Sequence, residues 1–202
     1  FLAALAAPLI FRALGRTGFV ALSLVPFAGL VYSLTLIPTV FSDSPEPVVE
    51  VLGWMPQLSM SIVLRMDALS WILSLLVTGV GGLVFIYCSR YFDADEVRLA
   101  RFAGVLMAFV GMMDGLVVAD ELLTLFIFWE GTTVFSYFLI GQYAGRQQSR
   151  RAALQALIVT TFGGLAMFVG MILLGVQYGT GRITEIVAIG YDGHGLTALA
   201  IV

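Results

Sequence analysis

Leu122 to Tyr143 reads LLTLFIFWEGTTVFSYFLIGQY, twenty-two residues in which Glu130 is the single charge. A helix crosses the hydrocarbon core of a bilayer with about 20 apolar residues, so this stretch has the length and composition of a transmembrane helix. Its neighbours repeat the pattern. Apolar runs occupy Phe1–Leu14, Thr17–Phe41 with Pro26 and Pro38 inside, Ala68–Phe92, Leu99–Val118 and Ala152–Tyr178. The chain is 60% hydrophobic and 11% charged, against roughly 25% charged residues in a soluble domain. Lipid must therefore solvate much of it. The expected fold is an all-α polytopic membrane protein, with six helices and a seventh beginning at Leu196. The first run is short and opens without a basic leader region, which predicts a truncated helix rather than a secretion signal. The last run, Leu196–Val202, also stops inside an apolar stretch.

One segment departs from this pattern. Ser42-Asp43-Ser44-Pro45-Glu46-Pro47 is turn-rich, and Val48 to Met66 is β-branched with alternating positions, as in Leu58-Ser59-Met60-Ser61-Ile62-Val63-Leu64. That predicts a small hairpin outside the membrane, turning near Gly53-Trp54-Met55-Pro56. The chain accordingly divides into helices one and two (1–41), a hairpin loop (42–67), and helices three to six with the start of a seventh (68–202).

All ten basic residues are arginine. Arg12, Arg16, Arg90, Arg98, Arg101, Arg146, Arg150 and Arg151 fall in three alternate connections, leaving Arg65 and Arg182 for the other side. The positive-inside rule places the arginine-rich connections in the cytoplasm. The hairpin and the N-terminus of the chain are then extracytoplasmic. A net charge of −3 with no basic run outside these connections excludes a nucleic-acid partner. Cys88 is the single cysteine, so no internal disulfide can form.

Glu130 carries the chemistry. It lies eight residues beyond Leu122, about 12 Å along a helix rising 1.5 Å per residue, near the middle of a roughly 30 Å core. An ionised carboxylate there costs a few kcal/mol even on lenient insertion scales. Its charge state depends on what surrounds it, which is what proton transfer requires. The plain alternative is a protonated Glu holding two helices together, a task Ser, Thr or Gln performs at lower cost. Thr133 and Tyr137 follow at i+3 and i+7, on the same helix face, where their hydroxyls could orient the carboxyl or hold water, or simply pack. Asp114, near the outer end of helix four, is a candidate for ion access. Asp67 reads as a helix cap and His194 as a loop residue. No pattern predicts a metal site or a bound cofactor. No lysine is present, so a cationic partner for Glu130 must come from elsewhere.

Trp129-Glu130 followed by Ser136-Tyr137-Phe138-Leu139-Ile140-Gly141 resembles the antiporter-like membrane subunits shared by respiratory complex I and the Mrp multisubunit cation/proton antiporters. Gly53-Trp54 before Asp67-Ala68-Leu69-Ser70, and Ser89-Arg90-Tyr91-Phe92, extend the resemblance. Arg150-Arg151-Ala152-Ala153-Leu154-Gln155-Ala156-Leu157, Thr160-Thr161-Phe162-Gly163-Gly164-Leu165-Ala166 and Gly181-Arg182-Ile183-Thr184-Glu185-Ile186 look most like the Mrp A subunit. Gly131 is more usual in the complex I relatives, and Asp114 is unexpected at its position. The Asn-Arg-x-Gly-Asp-like stretch of the complex I subunit is absent at Thr160–Gly164. The resemblance implies part of a larger subunit, in a bacterial cytoplasmic membrane, working with other membrane subunits on protons and monovalent cations such as Na⁺. It also implies that Glu130 pairs with a lysine on a broken seventh helix, beyond Val202. Two other classes compete: a proton-pumping subunit of a redox enzyme, and a membrane scaffold without an ion path.

Overall fold

The computed structural model describes residues 1–41, 47–55, 60–92, 96–142 and 147–190. Helices α1 (Leu2–Leu14), α2 (Gly18–Thr35) and a short α3 (Ile37–Val40) precede a two-stranded antiparallel sheet, β1 (Val48–Met55) and β2 (Met60–Met66). Then come α4 (Ala68–Tyr91), α5 (Glu96–Val118), α6 (Leu122–Ile140), α7 (Gln147–Tyr178) and α8 (Ile183–Ile189). The hairpin expected over Val48–Met66 is present, with Val48 opposite Met66, Glu50 opposite Leu64, and a bulge between Gly53 and Met55. The turn residues 56–59, Tyr143, Arg146, His194 and the expected start of a seventh helix lie outside the described residues.

Five helical stretches are long and apolar enough to span a membrane: Leu2–Thr35, Ala68–Tyr91, Arg98–Val118, Leu122–Ile140 and Gln147–Tyr178. The first is not one rod. Gly15 takes φ 55°, a left-handed conformation that glycine adopts without a side-chain penalty, and the chain reverses there. A Cβ on Gly104 of α5 would stand 2.9 Å from the Ala4 carbonyl, and one on Gly111 would stand 3.4 Å from Phe1. α1 thus descends antiparallel to α5. α2 instead runs antiparallel to α4, through Gly29 against Thr78 and Phe27 against Gly82. The six expected helical legs are therefore present, the first only 13 residues long.

Pro38 corrects the second leg. A single helix through Phe41 is expected from hydropathy, but α2 ends at Thr35 and α3 restarts with Pro38 in its first turn. Proline has no N–H to donate, and its ring meets the carbonyl four residues back, here Leu34. Pro26, by contrast, is carried inside α2.

α5 sits in the middle, packed against α1, α4 and α6, with α7 on the far side of α6. Small residues set the close spacing, as is usual where lipid removes the hydrophobic drive between helices. The seam of α4 buries Ser70, Ser74, Thr78, Gly81 and Gly82. An aromatic cluster fills one end of the bundle: Phe11 meets Phe19 edge-on at 4.9 Å between ring centroids, and Phe19 and Phe85 are fully buried. Arg16 donates to the Ser89 carbonyl at that same end. Arg12 and Arg101 border one cavity there, and Arg98, Arg101 and Arg150 border another. Arg12, Arg16, Arg98, Arg101 and Arg150 therefore gather at one end of the bundle, opposite the hairpin.

The hairpin end is fastened by carboxylates. Asp67 caps α4 by accepting from the Leu69 and Ser70 amides at 3.1 and 3.0 Å, while the Ser70 hydroxyl accepts from the Asp67 amide. This is the reciprocal capping box. Burial raises the Asp67 carboxyl, but the Ser70 and Leu69 hydrogen bonds and the charge of Arg65 outweigh it and hold Asp67 below the ordinary carboxylate range. Asp120 does more. Its amide donates to the Val63 carbonyl of β2, and its own carbonyl accepts from the Ile183 amide. Its carboxylate, 3% exposed, accepts from the Thr184 amide at 3.1 Å and the Thr184 hydroxyl at 2.8 Å. Asp120 thereby caps α8 from another segment, since the local N-cap, Arg182, supplies no side-chain bond.

Candidate functional site

Each position of the site follows from where α6 turns its faces. Glu121 starts the helix by accepting from the Thr124 amide and hydroxyl at 2.7 and 2.9 Å. From that fixed start, Phe128 and Gly131 point at α5, where a Cβ on Gly131 would come within 2.9 Å of Met112 Cγ. Gly131 thus lets the Met112 side chain pack directly on α6. Phe126 points the other way and stacks on Phe168 of α7, with ring centroids 4.2 Å apart. Glu130 lies one turn further along that α7-facing side. A Cβ on Gly164 would collide with Glu130 Oε1 and stand 3.3 Å from Trp129 Nε1.

Both polar atoms are buried and neither has a partner among the described residues. Burying a polar group without a hydrogen bond costs roughly 1–3 kcal/mol, so native structures rarely keep two side by side without a purpose.

Thr133, 5% exposed, donates to the Trp129 carbonyl at 3.3 Å, the back-bond that satisfies a hydroxyl inside a membrane helix. Thr133 and Tyr137 border a cavity of about 280 Å³ between α5, α6 and α7, together with Trp129, Ser136 and Thr160. Tyr137 also borders the roughly 370 Å³ cavity at the arginine end, beside Gln142 and Arg150. Thr133 and Tyr137 thus border one cavity, while Glu130, against Gly164, is not among its lining residues.

Asp114 does not join them. It faces α4, accepts from the Ser74 hydroxyl at 2.6 Å, and borders a separate cavity of about 170 Å³ with Tyr32, Ser33, Glu50 and Arg65. Two contributors escape a reading of the sequence by side-chain chemistry: the Trp129 indole N–H beside the carboxyl, and Gly164, which makes room for both.

Two family descriptions match the chain. One is NADH:quinone oxidoreductase/Mrp antiporter, TM, over residues 119–202, and the other is NADH-ubiquinone oxidoreductase (complex I), chain 5 N-terminus, over residues 54–103. The chain belongs to the NADH:quinone oxidoreductase/Mrp antiporter family. It is 39% identical over 175 residues to the A1 subunit of a Na(+)/H(+) antiporter of Staphylococcus aureus, covering 86% of this chain and 21% of that protein. It is 40% identical over 139 residues to the A/B subunit of a probable K(+)/H(+) antiporter of Rhizobium meliloti, covering 69% of this chain and 14% of that one. Among solved structures, the Mrp complex from Dietzia sp. superposes with a TM-score of 0.79 at 29% identity, over 98% of this chain and 21% of the matched one. Respiratory complex I from Thermus thermophilus shares the fold, with a TM-score of 0.75 at 18% identity over 98% of this chain and 40% of that one. The chain spans 14% and 21% of the length of these curated antiporter relatives.

This family member is a multi-pass membrane protein. Two segments that carry the resemblance now have structural reasons. Thr160–Gly164 supplies the glycine that admits Glu130, and Gly181–Ile186 forms the clasp on Asp120 and Glu121. A Cβ on Gly181 would stand 2.8 Å from Glu121 Oε1.

Proposed function

We propose that this chain forms part of a membrane subunit of a multisubunit monovalent cation/proton antiporter, in which Glu130 transfers protons. The observation that carries the reading is the buried, unpartnered Oε1 of Glu130, set against Gly164 in the middle of an apolar helix. A group that must gain and lose a proton cannot be held permanently by a strong donor or acceptor, and among the described residues Glu130 is held by neither. Thr133 and Tyr137 line the way from the arginine end to within one turn of it, through two cavities that share Tyr137. In this reading those hydroxyls orient the water that carries the proton. Asp114, in its own cavity near the hairpin, is the candidate for access from the opposite side.

By the positive-inside rule the arginine end faces the cytoplasm, which puts the hairpin and the N-terminus of the chain on the outside. Relatives named as parts of antiporters favour exchange over redox pumping. The full subunit would work with other membrane subunits, and a cation from outside this chain, a lysine by the family resemblance, would complete the Glu130 site. The test is transport by the assembled complex in everted vesicles. Glu130→Gln and Glu130→Ala should abolish cation-driven proton movement at normal complex abundance, and Glu130→Asp should retain part of it. Normal exchange in the Gln variant would end the proton-transfer reading. Copurification of a peripheral arm with flavin and iron–sulfur clusters would replace the antiporter with the redox pump.

A further inference from the structure

A large cavity lies away from Glu130. It is a groove of about 700 Å³ between α1, α5 and α6, lined by small and apolar side chains such as Ala4, Leu5, Pro8, Gly104, Val105 and Ala108. One end differs. There Arg12, in the last turn of α1, and Arg101, near the start of α5, border the same space. The two residues fall at the same end of the groove because α1 and α5 are antiparallel. Both are exposed, and no ion pair engages either of them among the described residues.

We propose that this groove holds an acyl chain of an anionic phospholipid whose phosphate lies between Arg12 and Arg101. The shape fits. From Arg101 to Ala108 the groove follows α5 for about 10 Å, along the helix axis and so along the direction in which lipid tails run. The charge fits as well. A phosphate accepts several charge-assisted hydrogen bonds, and guanidinium is the side chain best matched to it. Arg101 also borders the neighbouring cavity with Arg98 and Arg150, so further arginines stand beside the headgroup position. An acyl chain gains little by moving from bilayer to groove, since both are apolar. Selection therefore rests on the headgroup, and the site distinguishes anionic from zwitterionic lipid. This inference depends on the membrane-spanning fold and not on the role of Glu130.

The experiment uses the full-length protein in its assembled complex, extracted in mild detergent from membranes containing phosphatidylglycerol and phosphatidylethanolamine. Retained lipid is quantified by mass spectrometry. The wild type should be enriched in phosphatidylglycerol over the bulk membrane. Arg12→Gln and Arg101→Gln should each lower that enrichment by about fivefold, the share of one basic residue near an anionic surface. Arg90→Gln, on the same end but off the groove, should leave it unchanged. A photo-crosslinker at Leu5 should label lipid. No enrichment in the wild type, an equal loss in Arg90→Gln, or labelling of polypeptide instead of lipid would each overturn the assignment.

Discussion

Replacing Gly164 by alanine adds one methyl group at the point where α7 meets Glu130. That carbon would overlap Glu130 Oε1 and stand 3.3 Å from Trp129 Nε1 and 3.5 Å from Trp129 Cδ1. Overpacking of this kind costs about 1–3 kcal/mol. A carboxyl group on a flexible side chain relieves it by rotating away, so the native pose of Glu130 is populated roughly 5- to 150-fold less. Gly163 provides the matched control, because a Cβ there meets nothing within 4 Å. Alanine at 163 should stabilise the helix by up to about 1 kcal/mol, the usual gain over glycine in a helix interior. In everted vesicles with a pH-sensitive dye, Gly164→Ala should lose at least about tenfold in cation-driven proton exchange (within the range above), while Gly163→Ala stays near wild type. Both complexes should assemble. Equal transport by the two variants would refute the claim that space at Gly164 is reserved for the carboxyl, and loss of assembly in Gly164→Ala alone would make the glycine a packing requirement only.

Three further outcomes are expected. In a Cys88→Ser background, single cysteines at Arg16, Arg98 or Arg150 should resist an impermeant thiol reagent in intact cells and those at Ser44 or Asp192 should react; the reverse pattern would invert the orientation. Asp120→Ala leaves the Thr184 amide and hydroxyl without their acceptor and should destabilise the hairpin end by about 1–3 kcal/mol, read as a lower Tm and faster proteolysis after Arg182, whereas unchanged protection would show the clasp to be dispensable. The Asp67 cap should stabilise above pH 3.8, the ordinary value of its carboxyl, and fade as pH falls through its lower folded value; the stability gap between wild type and Asp67→Asn should therefore close on acidification, and a constant gap would contradict the assignment.

Helix number, the hairpin and the Asp67 cap are legible because they rest on local signals: apolar run length, strand alternation, and a carboxylate three residues ahead of Ser70. The break before Pro38 is legible in principle, but hydropathy outweighs it when runs are measured by length alone. Glu130 stands out by depth, and Thr133 and Tyr137 follow from helical spacing. What faces them does not. α6 and α7 are apolar almost all round, so no amphipathic stripe tells which side meets which neighbour. Gly164 and the Trp129 indole therefore become part of the site only when the helices are docked. Asp120 is opaque for a related reason: its partner Thr184 is sixty-four residues away, and both sit in connections that look like ordinary solvent-facing turns.

The Asp120 clasp also limits how α6 can move. Val63, Gly181 and Ile183 bind the backbone just ahead of it at the hairpin end, and Thr184 binds the Asp120 side chain there. A rod pinned at one tip cannot slide along its axis without breaking those bonds; it can only swing. Glu130 lies ten residues from the pin, a lever arm of about 15 Å. A swing of about 5° about that pin carries the carboxyl sideways by roughly 1.3 Å over the 15 Å arm, enough to bring a hydrogen bond into or out of range. The fastening outside the membrane thus converts any push on the helix into lateral travel of the group at its centre.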